Sequence, residues 1–558
     1  MGKFVRHTGR YREIAMVLGR HGFGYIAEEI GLTRLVSIPL RWAHKESRAH
    51  ESISLARRIR LVLEELGPTF VKAGQLASTR TDLLPDAIID ELVKLQYQVQ
   101  PIPIEAVKAV VNEEFGMLPE ELFAAFDENP LAAASLGQVH RAELLTGEQV
   151  VVKVQRPSVS ESVHRDLEIL WNLTLMAKRH IKWVEQYQIA DIVEEFSRSI
   201  KAELDYTVEG RNTDKMAEQL KSMSDITIPS VHWEYCSPKV LTLGFVQGIH
   251  LNQKQEMINQ QLDICELAKK LVNSMLHQIF VTGFFHADPH PGNLLAMQEG
   301  QLGFIDFGMV GKLDVMMREH LSSLIIALMR KNPDGMVSAI SQMGLLNDDV
   351  DMTILKRDLG RLQDKYYDLS FSDMSIGTAL QDLFGIARVH GIVMPSDLLL
   401  VGKALLTIEG VALSLDPSLS ILDLAEPFGK QLLRDKYSPL KVGRKLLHHG
   451  VELFESLSEL PTQARKITSL LSKGKVKVEM DVPELNSMLK KLDRIGNRLS
   501  FSIVLLAFSI IMVGLIIGSS LTRKPTMLWD FPAIEIGFIV AALMVIWLLY
   551  SIFKSGRF

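Results

Sequence analysis

The sequence predicts an α+β protein in which a small sheet-bearing lobe precedes a helical lobe. Helices are expected before them and apolar spans after them. Three observations carry that expectation. Short β-branched runs occur at Gln149–Val154 (QVVVKV) and Lys239–Leu243 (KVLTL). Helical periodicity dominates 255–283 and 313–435. Leu499–Leu521 and Phe531–Phe553 are runs of roughly 23 apolar residues, each long enough to cross a bilayer.

The composition is that of a globular chain tilted apolar. Charged residues make up 23% of the 558 and hydrophobic residues 47%. Mean hydropathy is +0.13, raised by the C-terminal runs. A formal charge of −5 lacks the dense basic face of a nucleic-acid binder, so no nucleic-acid partner is expected. Cys236 and Cys265 form neither a zinc spacing nor a CxxC, and read as free thiols in a reducing compartment. The basic N-terminus is followed by an apolar stretch that Arg20, His21, Glu28 and Glu29 interrupt, so no signal peptide is expected.

From the N-terminus, 11–31 reads as one amphipathic helix with Ile14, Val17, Leu18, Tyr25 and Ile26 as its apolar face. Packing is its ordinary reading; contact with a membrane surface or partner is the alternative. Residues 54–115 read as several helices punctuated by Gly67-Pro68, Pro85, Pro101 and Pro103. The sheet lobe begins near 120, and a long helix is expected over about 189–222. Residues 431–497 form a polar, basic linker, either a solvated tether or a contact for anionic headgroups. Basic residues flank the outer ends of the apolar spans, and the loop between them carries only Arg523 and Lys524 against Asp530. The positive-inside bias therefore puts both ends and the large domain in the cytoplasm, around a transmembrane hairpin.

The strongest motif is His286-Ala-Asp-Pro-His-Pro-Gly-Asn293, followed by Ile305-Asp-Phe-Gly308. In a phosphoryl-transfer site one Asp orients the nucleophile, an Asn five residues on binds a metal, and a DFG Asp binds metal bridging the phosphates. Those positions are Asp288, Asn293 and Asp306; Asp306 follows Asp288 by 18 residues, room for a short strand pair. Mg²⁺ needs few protein ligands, because phosphate and water complete its shell. His286 reads as a backbone brace. A metal-hydrolase cluster of His286, Asp288 and His290 would leave Asn293 and the DFG unexplained.

Upstream, Lys153 sits in a valine-rich strand, where a lysine pairing the α/β-phosphates belongs. Its partner should be a carboxylate of the 189–222 helix: Glu203, Asp205 or Glu209, the last two sharing a face. Ahead of the strand, Ala132-Ala133-Ala134-Ser135-Leu136-Gly137 stands in the place of a glycine-rich phosphate loop. Its methyl groups restrict the backbone and hold it back from phosphate oxygens.

Together these residues resemble the UbiB family of atypical protein-kinase-like proteins. The most specific match is Lys72-Ala-Gly-Gln75, the KxGQ signature; the alanine-rich loop, Glu203-Leu-Asp205 and HADPHPGN also match, in order. The resemblance implies a bilobal protein-kinase-like fold with a helical N-terminal KxGQ extension (1–115), a kinase-like N-lobe (116–247), a helical C-lobe (248–430), the basic linker (431–497) and a C-terminal transmembrane helical hairpin (498–555). It implies that Lys72 and Gln75 reach the nucleotide pocket and block the peptide groove, that Glu203 and Asp205 engage Lys72, that Lys153 pairs with Glu209, and that the alanine-rich loop tunes nucleotide preference. It implies ATP or ADP and Mg²⁺ as cofactors, membrane lipid and quinone intermediates as partners beside quinone-biosynthesis enzymes, and a bacterial inner-membrane location, with homo-oligomer formation left open. The implied function is an atypical kinase or ATPase supporting isoprenoid quinone biosynthesis. Ala287 replaces the HRD arginine and no APE-like segment follows the DFG, which puts protein-kinase activity in doubt. Gly244 stands where the family commonly has an acidic hinge residue, which leaves the adenine contacts unspecified. A small-molecule or lipid phosphotransferase and a nucleotide-binding scaffold are the rival readings.

Overall fold

A computed structural model describes residues 7–32, 53–80, 83–95, 101–133, 135–181, 189–329, 332–346, 350–365, 376–392 and 394–421, with isolated positions beyond. The chain divides into Met1–Arg444 and Lys445–Phe558. In the second unit the described positions, such as Ile503, Leu506 and Ile510, are helical and exposed. The expected hairpin otherwise lies outside the described residues, as do the linker 431–497 and Ala134 of the loop.

The first unit opens with α1 (Thr8–Arg20) and α2 (Gly24–Glu29). The single helix expected over 11–31 is broken at Gly22, whose φ of +77° only glycine adopts readily. Tyr11, Ile14 and Val17 are buried, but Tyr25 is exposed, because the break turns it away from the packed face. Then come α3 (Leu55–Leu66), α4 (Pro68–Ala77), α5 (Asp86–Leu92), α6 (Ile104–Phe115) and α7 (Pro119–Leu122). Pro68 starts α4 at its first turn, where no amide hydrogen is needed, and Pro85 and Pro103 precede α5 and α6.

The first sheet contains β1 (Phe123–Phe126), β2 (Ala132–Ala133), β3 (Gly137–Leu144), β4 (Gln149–Gln155) and, later in the chain, a strand at Val240–Gly244. Every pairing in it is antiparallel. Along β4, Val150, Val152 and Val154 are wholly buried against α6, which leaves Lys153 on the opposite face. The helix α8 (Val159–His180) follows. The long helix expected next is two helices, α9 (Ile189–Glu203) and α10 (Tyr206–Leu220). Leu204 and Asp205 separate them, and Asp205 caps the second, its carboxylate accepting from the Thr207 amide at 3.0 Å.

The next elements are β5 (Ile226–Thr227), β6 (the Val240–Gly244 strand), β7 (Ile249–His250), α11 (Lys254–Asn259), α12 (Ile264–Leu276), β8 (Phe284–His286), β9 (Leu294–Ala296), β10 (Leu302–Phe304) and β11 (Val310–Lys312). The strands β5, β10, β9 and β7 make one sheet in that order, and β8 pairs with β11. Helices complete the lobe: α13 (Val315–Met329), α14 (Pro333–Gln342), α15 (Met352–Lys365), α16 (Ile376–Val389) and α17 (Ser396–Leu415). Among the described residues α17 alone is long and apolar enough to cross a membrane, yet it packs in the lobe's core through Leu399, Ala404, Ile408 and Ala412.

Polar contacts tie the N-terminal helices to the rest of this unit. Arg10 of α1 pairs with Asp166 of α8 at 2.9 Å and donates to the Leu66 carbonyl at the end of α3. Lys72 of α4 pairs with Glu203 of α9. Arg388 of α16 donates to the Leu84 carbonyl at 2.8 Å and meets Asp86 of α5 at 3.3 Å.

Candidate active site

Alternation along β4 turns Lys153 toward α10, whose buried face presents Tyr206, Glu209 and Thr213 at helical spacing. Lys153 Nζ lies 2.9 and 2.8 Å from the two Glu209 carboxylate oxygens and 3.4 Å from Asp306 Oδ2. The Tyr206 ring lies below the ammonium, its centroid 5.2 Å away. A lysine from the first sheet, a glutamate from a helix and an aspartate after β10 thus meet at one point.

One ammonium serves two carboxylates here, and the charges respond unequally. Burial pushes the Glu209 carboxyl up to about 7; repulsion from Asp306 adds to this and Lys153 only partly offsets it. Burial also opposes ionisation of Asp306, but Lys153 and the Gly308 amide hold its carboxyl well below the usual range. The Gly308 amide donates to Asp306 Oδ1 at 2.9 Å. Burial works against the Lys153 charge as well, yet Asp306 and Glu209 keep it protonated well above the ordinary lysine range.

Asp288 follows β8, and Asn293 closes the short turn before β9. The Asn293 side-chain nitrogen donates to the Asp288 carbonyl at 3.3 Å, which leaves its amide oxygen for other ligands. The Ile305 amide donates to the Asn293 carbonyl at 3.1 Å, fastening the turn beside Asp306. His286 is fully buried against Phe304 and Phe307, and its Nδ1 accepts from the Asp288 amide at 3.2 Å. Burial holds it neutral, its pKa depressed to about 4. His290 accepts from the Gly292 amide at 3.0 Å, a turn contact. No cluster of three or more His, Cys, Asp or Glu able to hold a metal occurs among the described residues. A cation here would take Asp306 and the Asn293 oxygen and need further ligands from phosphate or water. Hard oxygen donors around an excess of negative charge fit Mg²⁺.

Other expected residues are placed differently. Lys72 reaches Glu203, but Asp205 turns to Thr207, whose amide and hydroxyl it binds at 3.0 and 2.7 Å. An aspartate just before a helix finds unsatisfied amides nearer than any lysine, so capping wins. It therefore does not share a helix face with Glu209. Gln75 donates to the Leu95 carbonyl at 3.0 Å, joining α4 to the segment after α5. In the alanine-rich segment, Ala132 and Ala133 pair with Val139 and Gln138, and Ser135 lies in the bend that follows. A Cβ on Gly137 would stand 2.3 Å from the Tyr206 hydroxyl oxygen and 2.5 Å from the Val154 carbonyl oxygen. Close packing demands that glycine. Gly244 ends β6 beside Ser230.

An ABC1 atypical kinase-like domain matches residues 94–340, a UbiB helical domain 359–420, and an ABC1/UbiB kinase-like C-terminal domain 483–554. A protein of Pseudomonas putida described as a probable protein kinase UbiB is 32% identical over 466 residues, 83% of this chain and 84% of its own. The chain belongs to the UbiB family. A Clostridium pasteurianum protein described by its place in the hydrogenase 1 5′ region is 32% identical over 552 residues, 98% of this UbiB chain and 99% of its own. The solved complex of Rv3197 with erythromycin from Mycobacterium tuberculosis is 22% identical, covering 68% of this chain and 97% of that one at a TM-score of 0.48.

Sequence reasoning about this UbiB chain missed three contacts at the site. Asn212, one helical turn after Glu209, donates to the Phe307 carbonyl at 3.2 Å. Gln278 accepts from the His286 amide at 2.9 Å. Lys403 of α17 lies 3.0 Å from Asp288 Oδ1. Only Lys403 left a readable signal: a cation inside a mostly apolar helix needs a partner.

Proposed function

We propose that this protein is a membrane-bound atypical kinase or ATPase that uses Mg-ATP to support isoprenoid quinone biosynthesis. One observation carries the reading. Lys153, Glu209 and Asp306 converge beside a turn that presents Asp288 and Asn293. Bound Mg²⁺ supplies charge neutralisation for the β- and γ-phosphates. Asp306 and Asn293 hold it, Lys153 pairs the α/β-phosphates, and Asp288 orients the attacking water or hydroxyl. With water as nucleophile its oxygen bonds to the γ-phosphorus, its proton passes to Asp288 and from there to solvent, the bond to the β-phosphate oxygen breaks, and ADP and phosphate leave. The alanine-rich segment, with Ala132, Ala133, Ser135 and Gly137, borders the nucleotide, and Lys72 of α4, paired with Glu203 of α9, closes over it.

Protein phosphorylation is disfavoured. After Phe307 and Gly308 the chain enters β11 and then α13, with no long segment to dock a peptide. The family resemblance directs the activity to a quinone pathway. The apolar spans at 499–521 and 531–553 would keep the domain beside lipid-bound intermediates. Coupling of hydrolysis to movement of the helix bearing Lys72 would draw such intermediates toward soluble enzymes.

The test is ATP turnover by the full chain in lipid, paired with quinone profiling of a deletion strain. Asp306→Asn should lower turnover at least about a hundredfold, because it removes charge aimed at the transferred phosphoryl group. It should leave membrane insertion intact and fail to restore the quinone pool. Turnover retained by Asp306→Asn would refute the proposed site, and an unaltered quinone pool in the deletion strain would refute the proposed pathway.

A further inference from the structure

The helix α17 reads SDLLLVGKALLTIEGVALSL, and Lys403 stands among Val401, Gly402, Ala404 and Leu405, of which Val401, Ala404 and Leu405 are packed in the core. Its ammonium lies 3.0 Å from Asp288 Oδ1 and 3.8 Å from Met309 Sδ, just past the DFG. The Ala287 amide between them donates to the Met309 carbonyl at 3.0 Å. One lysine thus touches both loops that carry the site.

Stability alone does not account for it. The Lys403 and Asp288 side chains are 26% and 34% exposed, and pairs this wet add at most about 1 kcal/mol. The position is specific, however. Lys153 already has two carboxylates, and Ala287 leaves the catalytic loop without the arginine of an HRD sequence. Lys403 lies outside the 94–340 kinase-like match and inside the 359–420 helical match, so a separate part of the chain completes the site.

We propose that Lys403 is a positioning residue for Asp288. This rests on the phosphoryl-transfer reading above and deepens it. By holding Oδ1, Lys403 fixes the carboxylate's rotation and leaves Oδ2 free for the nucleophile. Seating of α17 thereby becomes a condition of turnover.

The experiment uses the full chain in nanodiscs and measures ATP turnover and Mg-ATP affinity separately. Lys403→Met should lower kcat by about 10- to 100-fold, as expected for a misaimed reacting group, with Kd for Mg-ATP moving less than about twofold. Lys403→Arg should recover most of the loss, and Lys403→Gln serves if the Met variant does not fold. In an Asp288→Asn background, Lys403→Met should add less than about a twofold further loss, since residues acting as one unit are non-additive. Wild-type kcat in Lys403→Met, a loss confined to Kd, or multiplicative losses in the double variant would each overturn the assignment alone. Absence of turnover in the wild type would overturn the functional reading and this inference with it.

Discussion

Gly137 shows what a single hydrogen atom in place of a methyl achieves. It lets β3 lie against the Val154 carbonyl and the Tyr206 hydroxyl, and Tyr206 in turn floors the Lys153 ammonium. Gly137→Ala should cost about 1–3 kcal/mol, the usual range for overpacking, seen as a lower denaturant midpoint. Tyr206→Phe should restore part of it, because one of the two clashing oxygens disappears. An unchanged midpoint for Gly137→Ala would show that the strand yields freely. At this scale the motif residues were legible by type, and the structure brings Lys153 to Asp306 and Asn293 to the Asp288 carbonyl. Their contacts were not. Whether Asp205 caps a helix or meets a lysine depends on which amides lie within reach, and only the fold sets that.

Among the elements, β4 and β6 were readable from their valines and leucines, whereas β3 was not. Its inward positions include Gln138 and His140, both buried and hydrogen-bonded to each other at 2.8 Å, so polar residues occupy sites where alternation would show apolar ones. The break between α9 and α10 was equally silent, since neither glycine nor proline marks it. Asp205→Ala should remove the α10 cap and about 1 kcal/mol of stability, while Asp205→Asn keeps most of it. Thermal unfolding of the two variants, with the Lys72–Glu203 pair left in place, distinguishes capping from ligand binding. Equal destabilisation by both would speak against the cap. The partnership of Lys403 with Asp288 joins segments far apart in the chain, and no local pattern encodes such a distance.

For the whole molecule, buried imidazoles and the buried Glu209 carboxyl act in opposite directions on acid tolerance. His286 is neutral in the folded state with a pKa near 4, and burial lowers that of His140 as well. An unfolded chain binds these imidazole protons below about 6.5, whereas buried Glu209, with its folded pKa near 7, holds its proton in the folded state and works the other way between pH 7 and about 4.5. The His286 contribution should be fully present above pH 6.5 and be lost on acidification, by up to about 3 kcal/mol, with Glu209 offsetting it. Urea midpoints of the wild type and His286→Gln across that range isolate the imidazole: on acidification the wild type should lose more stability than the variant. An identical pH dependence in the two would contradict the burial-driven account.

The contacts of Arg10, Lys72 and Arg388 have a kinetic corollary. They fasten the N-terminal helices to α8, α9 and α16, so the lobes of the Met1–Arg444 unit cannot swing apart as freely as two blocks on a bare hinge. On the proposed function, exchange of spent nucleotide would have to wait until a strap lets go. The dwell time of ADP would then follow the lifetime of ion pairs such as Arg388–Asp86, and shorten as added electrolyte weakens them.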